Sequence, residues 1–250
     1  MLLSLVIPAR NEAGSLPGTL HALRATLESA GVPHEFVVVN DGSRDGTAAV
    51  LRELSASVPG LRVVDNPAPH GFGLAVRAGI TAVRGEAVAV VMADGSDAPE
   101  DVARFYAKLS EGYDCIFGSR FVPGARVSGY PKHKLILNRL VNNGIRLLFG
   151  FRYNDVTNAF KMYRTRTLEG LRPYLSHHFN LTVELPLKAI IRGYTYAVLP
   201  NEWRGRAHGE SKLKLKEMGS RYLFIILYCL IEKALSRADY RKPAPGGEGS

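Results

Sequence analysis

Short apolar segments alternate with helix-like segments through the first half of this chain, and no other feature constrains its fold as strongly. Five segments have the length and composition of buried strands: 2–7, 35–39, 61–64, 87–92 and 115–117. Four helical patterns lie between them: 16–30, 47–57, 74–83 and 100–111. Such alternation builds βαβ units, and apolar strands without a period of two are buried on both faces of a sheet. The pattern predicts an α/β fold with a mainly parallel, Rossmann-like sheet flanked by helices.

The pattern changes after Arg120, where longer segments mix apolar and basic residues. Helices are predicted at 135–149, 182–192 and 214–236, and strands at 159–163 and 195–199. We expect one domain over residues 1–212 and an amphipathic C-terminal helix within 213–240. The Pro and Gly content of residues 241–250 predicts a disordered tail.

The charge balance of the chain narrows the class of partner. The 250 residues carry 32 Lys and Arg against 23 Asp and Glu, a formal net charge of +9. This excess favours an anionic partner: a nucleic acid, an anionic membrane surface or a phosphorylated substrate. The two cysteines are too few for a disulfide framework and indicate a reducing compartment. Since no leader peptide and no run of about 20 apolar residues stands out, we expect a cytoplasmic protein without a membrane span.

Residues 88–97 end an apolar strand abruptly with Asp94, Gly95, Ser96 and Asp97. Open α/β sheets bind ligands at the carboxyl ends of their strands. An oxygen-rich group there can hold Mg²⁺ or Mn²⁺ beside the phosphates of a substrate. An acidic turn is the alternative, because Asp, Gly and Ser are common turn residues. Taken alone, the segment does not decide between a metal site and a turn.

Seven short motifs in a fixed order do decide it. They are Pro8…Asn11-Glu12, Asp41-Gly42-Ser43…Asp45-Gly46-Thr47, Gly71…Gly73…Ala75, Ala93-Asp94…Pro99-Glu100, Gly118-Ser119-Arg120, Asp155…Thr157-Asn158…Phe160…Tyr163 and Arg206…Gly209-Glu210-Ser211-Lys212. With them the chain resembles family 2 glycosyltransferases of the GT-A fold, and among these the dolichol-phosphate and polyprenol-phosphate mannosyltransferase-like group. The resemblance covers about residues 3–215 and makes the domain over 1–212 a catalytic one.

The resemblance implies a sugar nucleotide as donor, a GDP- or UDP-hexose, and transfer with inversion at the anomeric carbon. The implied donor-binding residues are Pro8, Arg10, Glu12, Val39, Asp41, Ala93, Asp94, Ser96, Arg120, Arg206 and Lys212. Carboxylates in this set can accept hydrogen bonds from ribose hydroxyls and base N–H groups, and its arginines can give paired hydrogen bonds to phosphates of the donor or the acceptor. For Glu12 and Asp41 the structural alternative is a helix cap or a turn. For Arg120, Arg206 and Lys212 it is a solvated surface cation.

The resemblance also implies a divalent cation, Mg²⁺ or Mn²⁺, held by Asp94. Four positions depart from the family motifs: Met92 and Asn40 stand where Asp is usual, Arg10 where Tyr is usual, and Ser96 where Gln is frequent. A thioether is a poor ligand for a hard cation, so we predict Asp97 as the second metal ligand, direct or through water, with the donor phosphates as the alternative. The change at Arg10 removes an aromatic contact to the base, although a guanidinium can also stack.

The residues predicted to carry the chemistry are Asp94, Arg120, Asp155 and Arg206. Asp155 has two interpretations. A hydroxyl acceptor requires a base in the transition state, whereas a lipid phosphate is already anionic at neutral pH and leaves Asp155 to orient other groups. Glu184 is a weaker match to the family, with an ion pair as its alternative.

We predict a metal-dependent inverting glycosyltransferase that moves a mannose- or glucose-type hexose to a polyprenyl phosphate, dolichyl or undecaprenyl. Three alternatives remain: a related enzyme with a glycan or small-molecule hydroxyl acceptor, a nucleotidyltransferase, and a non-enzymatic basic membrane-binding module. Basic amphipathic helices at 135–151 and 214–236 suit a peripheral position on the cytoplasmic face of a membrane. Packing on the sheet or in a dimer is their alternative. Nucleic acid is not expected, and a homo-oligomer or a membrane partner subunit stays open.

Overall fold

The computed structural model describes residues 1–205, 215–236 and 239–242. One sheet contains β1 (Leu3–Ala9), β2 (His34–Asn40), β3 (Leu61–Asp65), β4 (Ala87–Val90), β5 (Cys115–Ser119), β7 (Lys161–Arg164) and β8 (Tyr196–Pro200). A second, two-stranded sheet pairs β6 (Arg126–Ser128) with β9 (Glu202–Arg204). The helices of the described residues are α1 (Leu16–Ser29), α2 (Thr47–Ser57), α3 (Phe72–Ala82), α4 (Pro99–Ser110), α5 (Lys132–Phe149), α6 (Thr165–Gly170), α7 (Leu181–Ile191) and α8 (Leu215–Leu235).

The large sheet has the strand order β3-β2-β1-β4-β7-β5-β8. Its neighbouring strands are parallel, except that β7 runs antiparallel to both β4 and β5. The predicted mainly parallel α/β sheet is therefore confirmed. Because β1, β2, β4 and β5 point the same way, their carboxyl ends lie along one edge of the sheet, which we call the carboxyl edge.

Strand residues alternate between two cores, one on each face of the sheet. On one face, Val6, Val37 and Val88 pack with the apolar sides of α3 and α7. On the other face, Leu5 and Val38 pack with α1, α2 and α4. Both faces are covered, which explains why the strands read as continuous apolar runs rather than as alternating ones.

The strand predicted over 87–92 is too long at its carboxyl end. β4 stops at Val90, although the Val91 N–H still donates to the Val6 carbonyl at 3.1 Å. The next N–H, that of Met92, donates instead to the carboxylate of Asp97 at 2.9 Å. A side chain thus replaces the neighbouring strand as hydrogen-bond acceptor, and the chain leaves the sheet two residues early.

The helices α5 and α8 form as predicted, and much of their apolar surface faces solvent. α5 buries Ile145 and Phe149 and ends at Gly150, whose φ of 72° is the left-handed conformation that commonly terminates helices. The large exposed apolar side chains of the two helices are Ile136, Leu137, Leu140, Val141, Leu147, Leu148, Leu223, Phe224, Leu227, Ile231 and Leu235. Within the described ranges, the helices are all too short or too polar to cross a membrane.

Candidate active site

The carboxyl edge brings four of the sequence motifs together. The segments after β1, β2 and β4 begin at Arg10, Asp41 and Val91, and Arg120 follows β5. In the sheet, β1 lies between β2 and β4, so the first three segments are neighbours. β5 is separated from β4 only by β7. The edge therefore collects predicted donor-binding residues from points 110 positions apart in sequence, Arg10 to Arg120.

Asp41 is the centre of a polar network at one end of this edge. Its side chain is only 5% exposed. Oδ1 accepts hydrogen bonds from Asn66 Nδ2 at 2.7 Å and from the Gly71 N–H at 3.2 Å, and His70 Nδ1 lies 3.4 Å from it. Oδ2 lies 3.8 Å from Nη1 of the half-exposed Arg10. These contacts hold the Asp41 carboxylate in one position at the carboxyl edge.

The loop after β1 is tied to the loop after β2. Asn11 has a φ of 56°, a conformation that Asn adopts more readily than most residues, and its Oδ1 accepts the Arg44 N–H at 2.7 Å. The Glu12 N–H donates to Thr47 Oγ1 at 2.9 Å, and its Oε2 accepts the Ser15 hydroxyl at 2.8 Å. Asp45 lies one position before Gly46, the N-cap of α2, and accepts the Thr47 N–H at 3.0 Å.

Two other predicted nucleoside contacts differ in accessibility. Pro8 is partly exposed and stands beside Val39 in the register of β1 and β2. The Val39 side chain is fully buried in the core that contains α3. The Val39 side chain therefore forms part of the core beneath the loops, which we call the floor, and does not point to the carboxyl edge.

Asp94 and Asp97 lie together after β4. Asp94 is partly exposed, and its Oδ1 accepts the Ser96 N–H at 3.1 Å. Asp97 is buried and accepts the Met92 N–H. Burial raises the pKa of Asp97 to about 7, opposed by the Met92 hydrogen bond and reinforced by the negative charges of Asp94 and Asp101. The two carboxylates are thus close enough to interact electrostatically.

This pair fits one particular mode of cation binding. Among the described residues, no group of three or more His, Cys, Asp or Glu side chains is arranged to hold a metal ion. Mg²⁺, however, is commonly bound by one or two carboxylates together with substrate phosphates and water. Asp94 and Asp97 satisfy that smaller requirement, whereas the thioether of Met92 adds no hard ligand. These two carboxylates therefore suit a cation whose coordination shell is completed by a diphosphate.

Asp155 and Arg120 form a buried ion pair at the other end of the edge. Asp155 Oδ1 accepts Arg120 Nη2 at 2.7 Å, and Oδ2 accepts both Nε at 2.9 Å and the Arg120 N–H at 2.8 Å. Asp155 is fully buried and the Arg120 side chain is 7% exposed. The negative charge of Asp155 holds the pKa of Arg120 above its usual range against the opposing effect of burial. An arginine has five N–H donors, so three remain after the side-chain bonds to Asp155.

A cavity of about 390 Å³ opens beside Arg120. It is lined by Arg120, Phe121, Ala125, Val127, Leu135, Ile136 and Arg139. Two guanidinium groups thus border a space whose other walls are apolar. Arg139 contributes from α5 and lies over the ring of Phe121, with 5.9 Å between its Cζ and the ring centroid. The cavity suits a ligand with an anionic head and a hydrocarbon chain.

Lys161 and Glu184 are both fully buried, and each has structural partners. Lys161 is fully buried, and its Nζ donates to the carbonyls of Val156 at 3.0 Å, Thr182 at 3.1 Å and Asn158. Burial lowers the pKa of Lys161 to about 7. Glu184 forms a fully buried ion pair with Lys188 at 2.6 Å. In sequence, an ion pair is the alternative to a role in the site for this residue.

Sequence reasoning missed several of these residues. The sequence offers no reason to assign a role to Asn66 or Arg139. Asn66 resembles many other turn residues, and Arg139 is one of 32 basic residues. The only sequence signal for Lys161 was its place inside an apolar strand. Arg206 and Lys212, both predicted phosphate ligands, lie outside the described residues. The buried pair of Arg120 and Asp155 joins two of the motifs.

Comparison with known proteins identifies the family. The family described as Glycosyl transferase family 2 matches residues 4–173. The polyprenol monophosphomannose synthase of Mycolicibacterium smegmatis is 33% identical over 214 residues, covering 83% of this chain and 79% of the relative. The undecaprenyl-phosphate mannosyltransferase of Micrococcus luteus is 30% identical over 213 residues, covering 83% and 86%.

Solved structures share the fold at lower identity. Glucosyl-3-phosphoglycerate synthase from Mycobacterium tuberculosis, crystallised with Mn²⁺, uridine diphosphate and glucosyl-3-phosphoglycerate, superposes with a TM-score of 0.68 at 19% identity. The superposition covers 92% of this chain and 79% of that one. At this identity the likeness establishes a common architecture only.

Proposed function

This chain belongs to glycosyl transferase family 2, and from that premise we propose that it transfers a hexose from a nucleotide-diphosphate sugar to a polyprenyl phosphate. The resemblance drawn from the motifs is confirmed by the family match and by the two mannosyltransferase relatives. Those relatives are named for polyprenol and undecaprenyl phosphate. We propose a polyprenyl phosphate acceptor on the basis of these names.

The observation that carries the proposal is the cavity beside Arg120. A polyprenyl phosphate has an anionic head and a hydrocarbon chain, and the cavity has Arg120 and Arg139 beside apolar walls. Guanidinium groups bind phosphate through paired hydrogen bonds. The N–H groups of Arg120 that Asp155 does not engage can serve this purpose. A sugar hydroxyl acceptor would require few of these apolar contacts.

In this proposal Asp155 is a positioning residue and not the base. Each of its oxygens already accepts a hydrogen bond from Arg120, and no part of it reaches solvent. A lipid phosphate is anionic at neutral pH, so its oxygen can attack the anomeric carbon without losing a proton. Attack from the side opposite the leaving nucleoside diphosphate gives inversion. Asp155 keeps the Arg120 guanidinium in place for the acceptor phosphate.

The donor is assigned to the segments after β1, β2 and β4. Asp41, with Pro8, Arg10, Glu12 and the floor at Val39, frames the nucleoside. Ala93, Asp94 and Ser96 line the diphosphate, and Asp94 with Asp97 hold Mg²⁺ or Mn²⁺. When bound, such a cation offsets the charge that develops on the leaving diphosphate. Arg206 and Lys212 remain proposed phosphate ligands on the strength of their motif.

The acceptor lies in a membrane, and α5 and α8 offer the surface that reaches it. Leu140 and Leu147 of α5 are 64% and 85% exposed, and Phe224 and Ile231 of α8 are each 58% exposed. Basic side chains such as Arg146 accompany them. Apolar residues flanked by cations favour a peripheral position among anionic lipid headgroups. We place this membrane on the cytoplasmic side.

Incubation with a radiolabelled sugar nucleotide and undecaprenyl phosphate tests the proposal. Label should pass into the organic phase in the presence of Mg²⁺ or Mn²⁺. The variant Arg139→Met should raise the KM for the lipid about tenfold or more, because it removes one charge from the cavity. Arg52→Met, at an exposed position on α2, serves as the matched control. Label that stays in the aqueous phase on a hydroxyl acceptor would replace the lipid phosphate with a glycan, and release of pyrophosphate would indicate nucleotidyl transfer.

A further inference from the structure

The two carboxylate oxygens of Asp41 differ in their contacts, and this difference affects which nucleobase can bind. Oδ1 of Asp41 accepts two hydrogen bonds, from Asn66 Nδ2 and the Gly71 N–H. The His70 ring covers the same flank, with Nδ1 3.4 Å from Oδ1. Among the described residues, the contact of Oδ2 is the long one to Arg10 at 3.8 Å. One oxygen of this carboxylate is therefore committed and the other can accept a ligand.

The committed oxygen is held by the backbone as well as by a side chain. The Gly71 N–H belongs to the turn that starts α3, and a Cβ at Gly71 would lie 2.4 Å from the His177 carbonyl. A Cβ at Gly42 would lie 2.4 Å from His70 Nε2. The loop after β3 is thus packed closely against the loop after β2 on one side and against the segment before α7 on the other. Asp41 consequently has little room to rotate and offer Oδ1 to a ligand.

From this asymmetry we infer that the donor is a uridine nucleotide, and that Asn66 selects it by occupying one oxygen of Asp41. Uracil presents a single N–H between two carbonyl oxygens. That N–H can donate to Oδ2, and a neighbouring carbonyl can accept from Arg10. Guanine presents two adjacent donors, N1–H and the 2-amino group. A carboxylate with one available oxygen leaves the second donor unpaired, which disfavours guanine.

Because the inference rests on the proposed donor site, its test uses nucleotides alone. Isothermal titration calorimetry with Mn²⁺ compares UDP, GDP and CDP without sugar or lipid. We expect UDP to bind roughly tenfold or more tightly than GDP, the cost of one unpaired buried donor. Equal or tighter binding of GDP would overturn the inference and leave the donor site standing. Failure of all three to bind would overturn the donor site and the inference with it.

The variant Asn66→Ala tests the selecting residue. It removes the 2.7 Å donor from Oδ1, so the ratio of UDP to GDP affinity should fall several-fold. A residue with a purely structural role would weaken both nucleotides alike and leave the ratio unchanged, which would contradict the assignment. Asn143→Ala, at an exposed asparagine of α5, is the matched control.

The variant Asp41→Asn gives a result that loss of folding cannot imitate. Asn66 and Gly71 donate to the Oδ1 position, so the amide carbonyl of the new side chain must lie there. Its NH₂ group then takes the place of Oδ2 and turns an acceptor into a donor. UDP should weaken at least about tenfold, and the ratio of CDP to UDP affinity should rise, because N3 of cytosine is an acceptor. An unchanged ratio would show that Oδ2 does not read the base.

Discussion

The pair of Arg120 and Asp155 illustrates how one contact can favour one of two roles. In sequence Asp155 suits a base as well as an orienting residue. The structure gives it three hydrogen bonds, all from Arg120, and no exposure. Three of the four lone-pair sites of the carboxylate are thus engaged, which favours the orienting role over the base. On that interpretation Asp155 acts through the guanidinium that it holds.

Asp155→Asn should impair both the fold and the reaction. Removing one charge of a buried ion pair costs about 3–5 kcal/mol, because the partner is left uncompensated. We also expect kcat/KM per folded molecule to fall about 100-fold, since Arg120 loses its orientation. Urea unfolding and initial rates with saturating donor measure the two effects.

The chain contains a matched control for this variant. Glu184 and Lys188 form an equally buried pair with no part in the proposed site. Glu184→Gln should lower the free energy of unfolding by a similar amount while leaving kcat per folded molecule within about twofold. Equal loss of kcat in both variants would mean that Asp155 acts only through stability.

Lys161 predicts an unusual dependence of stability on pH. Its pKa is about 7 in the folded protein and near 10.5 in the unfolded chain. Between these values the unfolded state binds more protons, so the free energy of unfolding rises with pH from about 7 to 10. Below pH 7 the lysine is charged in both states and this stabilisation is absent.

Urea unfolding of Lys161→Met at pH 6 and pH 9 checks this. The gain in stability between the two pH values should be smaller in the variant than in the parent protein, by on the order of 1–3 kcal/mol. Overall stability should fall at both pH values, because three carbonyl groups lose their donor. Lys134→Met, at an exposed lysine, is the control. The same pH difference in both variants would assign the effect to other groups.

The helices α5 and α8 expose more large apolar side chains than packing on the sheet requires. Among the described residues, α5 has six large exposed apolar side chains and α8 has five. Leu140 and Leu147 lie on the same side of α5. The buried sides of the two helices are narrow: α8 buries Ile225 and Cys229, while its Glu232 pairs with Arg192 at 2.6 Å. Contiguous exposed apolar surface of this kind marks an interaction site.

Replacing Leu140 and Leu147 with glutamate should abolish attachment to membranes and leave the fold intact. Both side chains are largely exposed, so the free energy of unfolding should change by less than about 1 kcal/mol. Co-sedimentation with vesicles containing phosphatidylglycerol should fall about tenfold or more, because apolar contact is lost and like charge is added. Val63→Glu, at an exposed apolar residue of β3, should bind like the parent. Retained binding of the double variant would point to a dimer interface instead.

The helical and strand patterns predicted the order of most elements because each is a local property. The features that they missed depend on a side-chain contact and on strand pairing. β4 ends early through the carboxylate of Asp97, and β7 enters the sheet from a point 70 residues after β4. The same division holds for the site. Motifs identified Asp41 and Arg120 by position, but Asn66 became visible only once a loop 25 residues away folded onto Asp41. Arg139 likewise needed α5 to fold beside β6.

In the proposed function, the molecule as a whole separates the reaction from attachment to the membrane. The carboxyl edge holds the ion pair and the carboxylates, whereas the exposed apolar residues lie on α5 and α8. The cavity of about 390 Å³ joins the two regions, since Arg120 comes from the edge and Arg139 from α5. This volume is near the lower limit for small-molecule sites. In the proposed function the cavity holds a phosphate and the start of a hydrocarbon chain, and the remainder of a polyprenyl chain lies outside.

Acceptor chain length should therefore affect attachment and not the chemical step. A short isoprenyl phosphate in solution should give a kcat within about threefold of undecaprenyl phosphate, because the part that the cavity holds is the same. Vesicles should lower the KM for the long acceptor only. In the Leu140, Leu147 double variant this advantage should disappear while kcat/KM for the short acceptor stays unchanged. Initial rates with both acceptors, with and without vesicles, measure all four quantities. A kcat that climbs steadily with chain length would instead mean that the protein binds the chain far beyond the cavity.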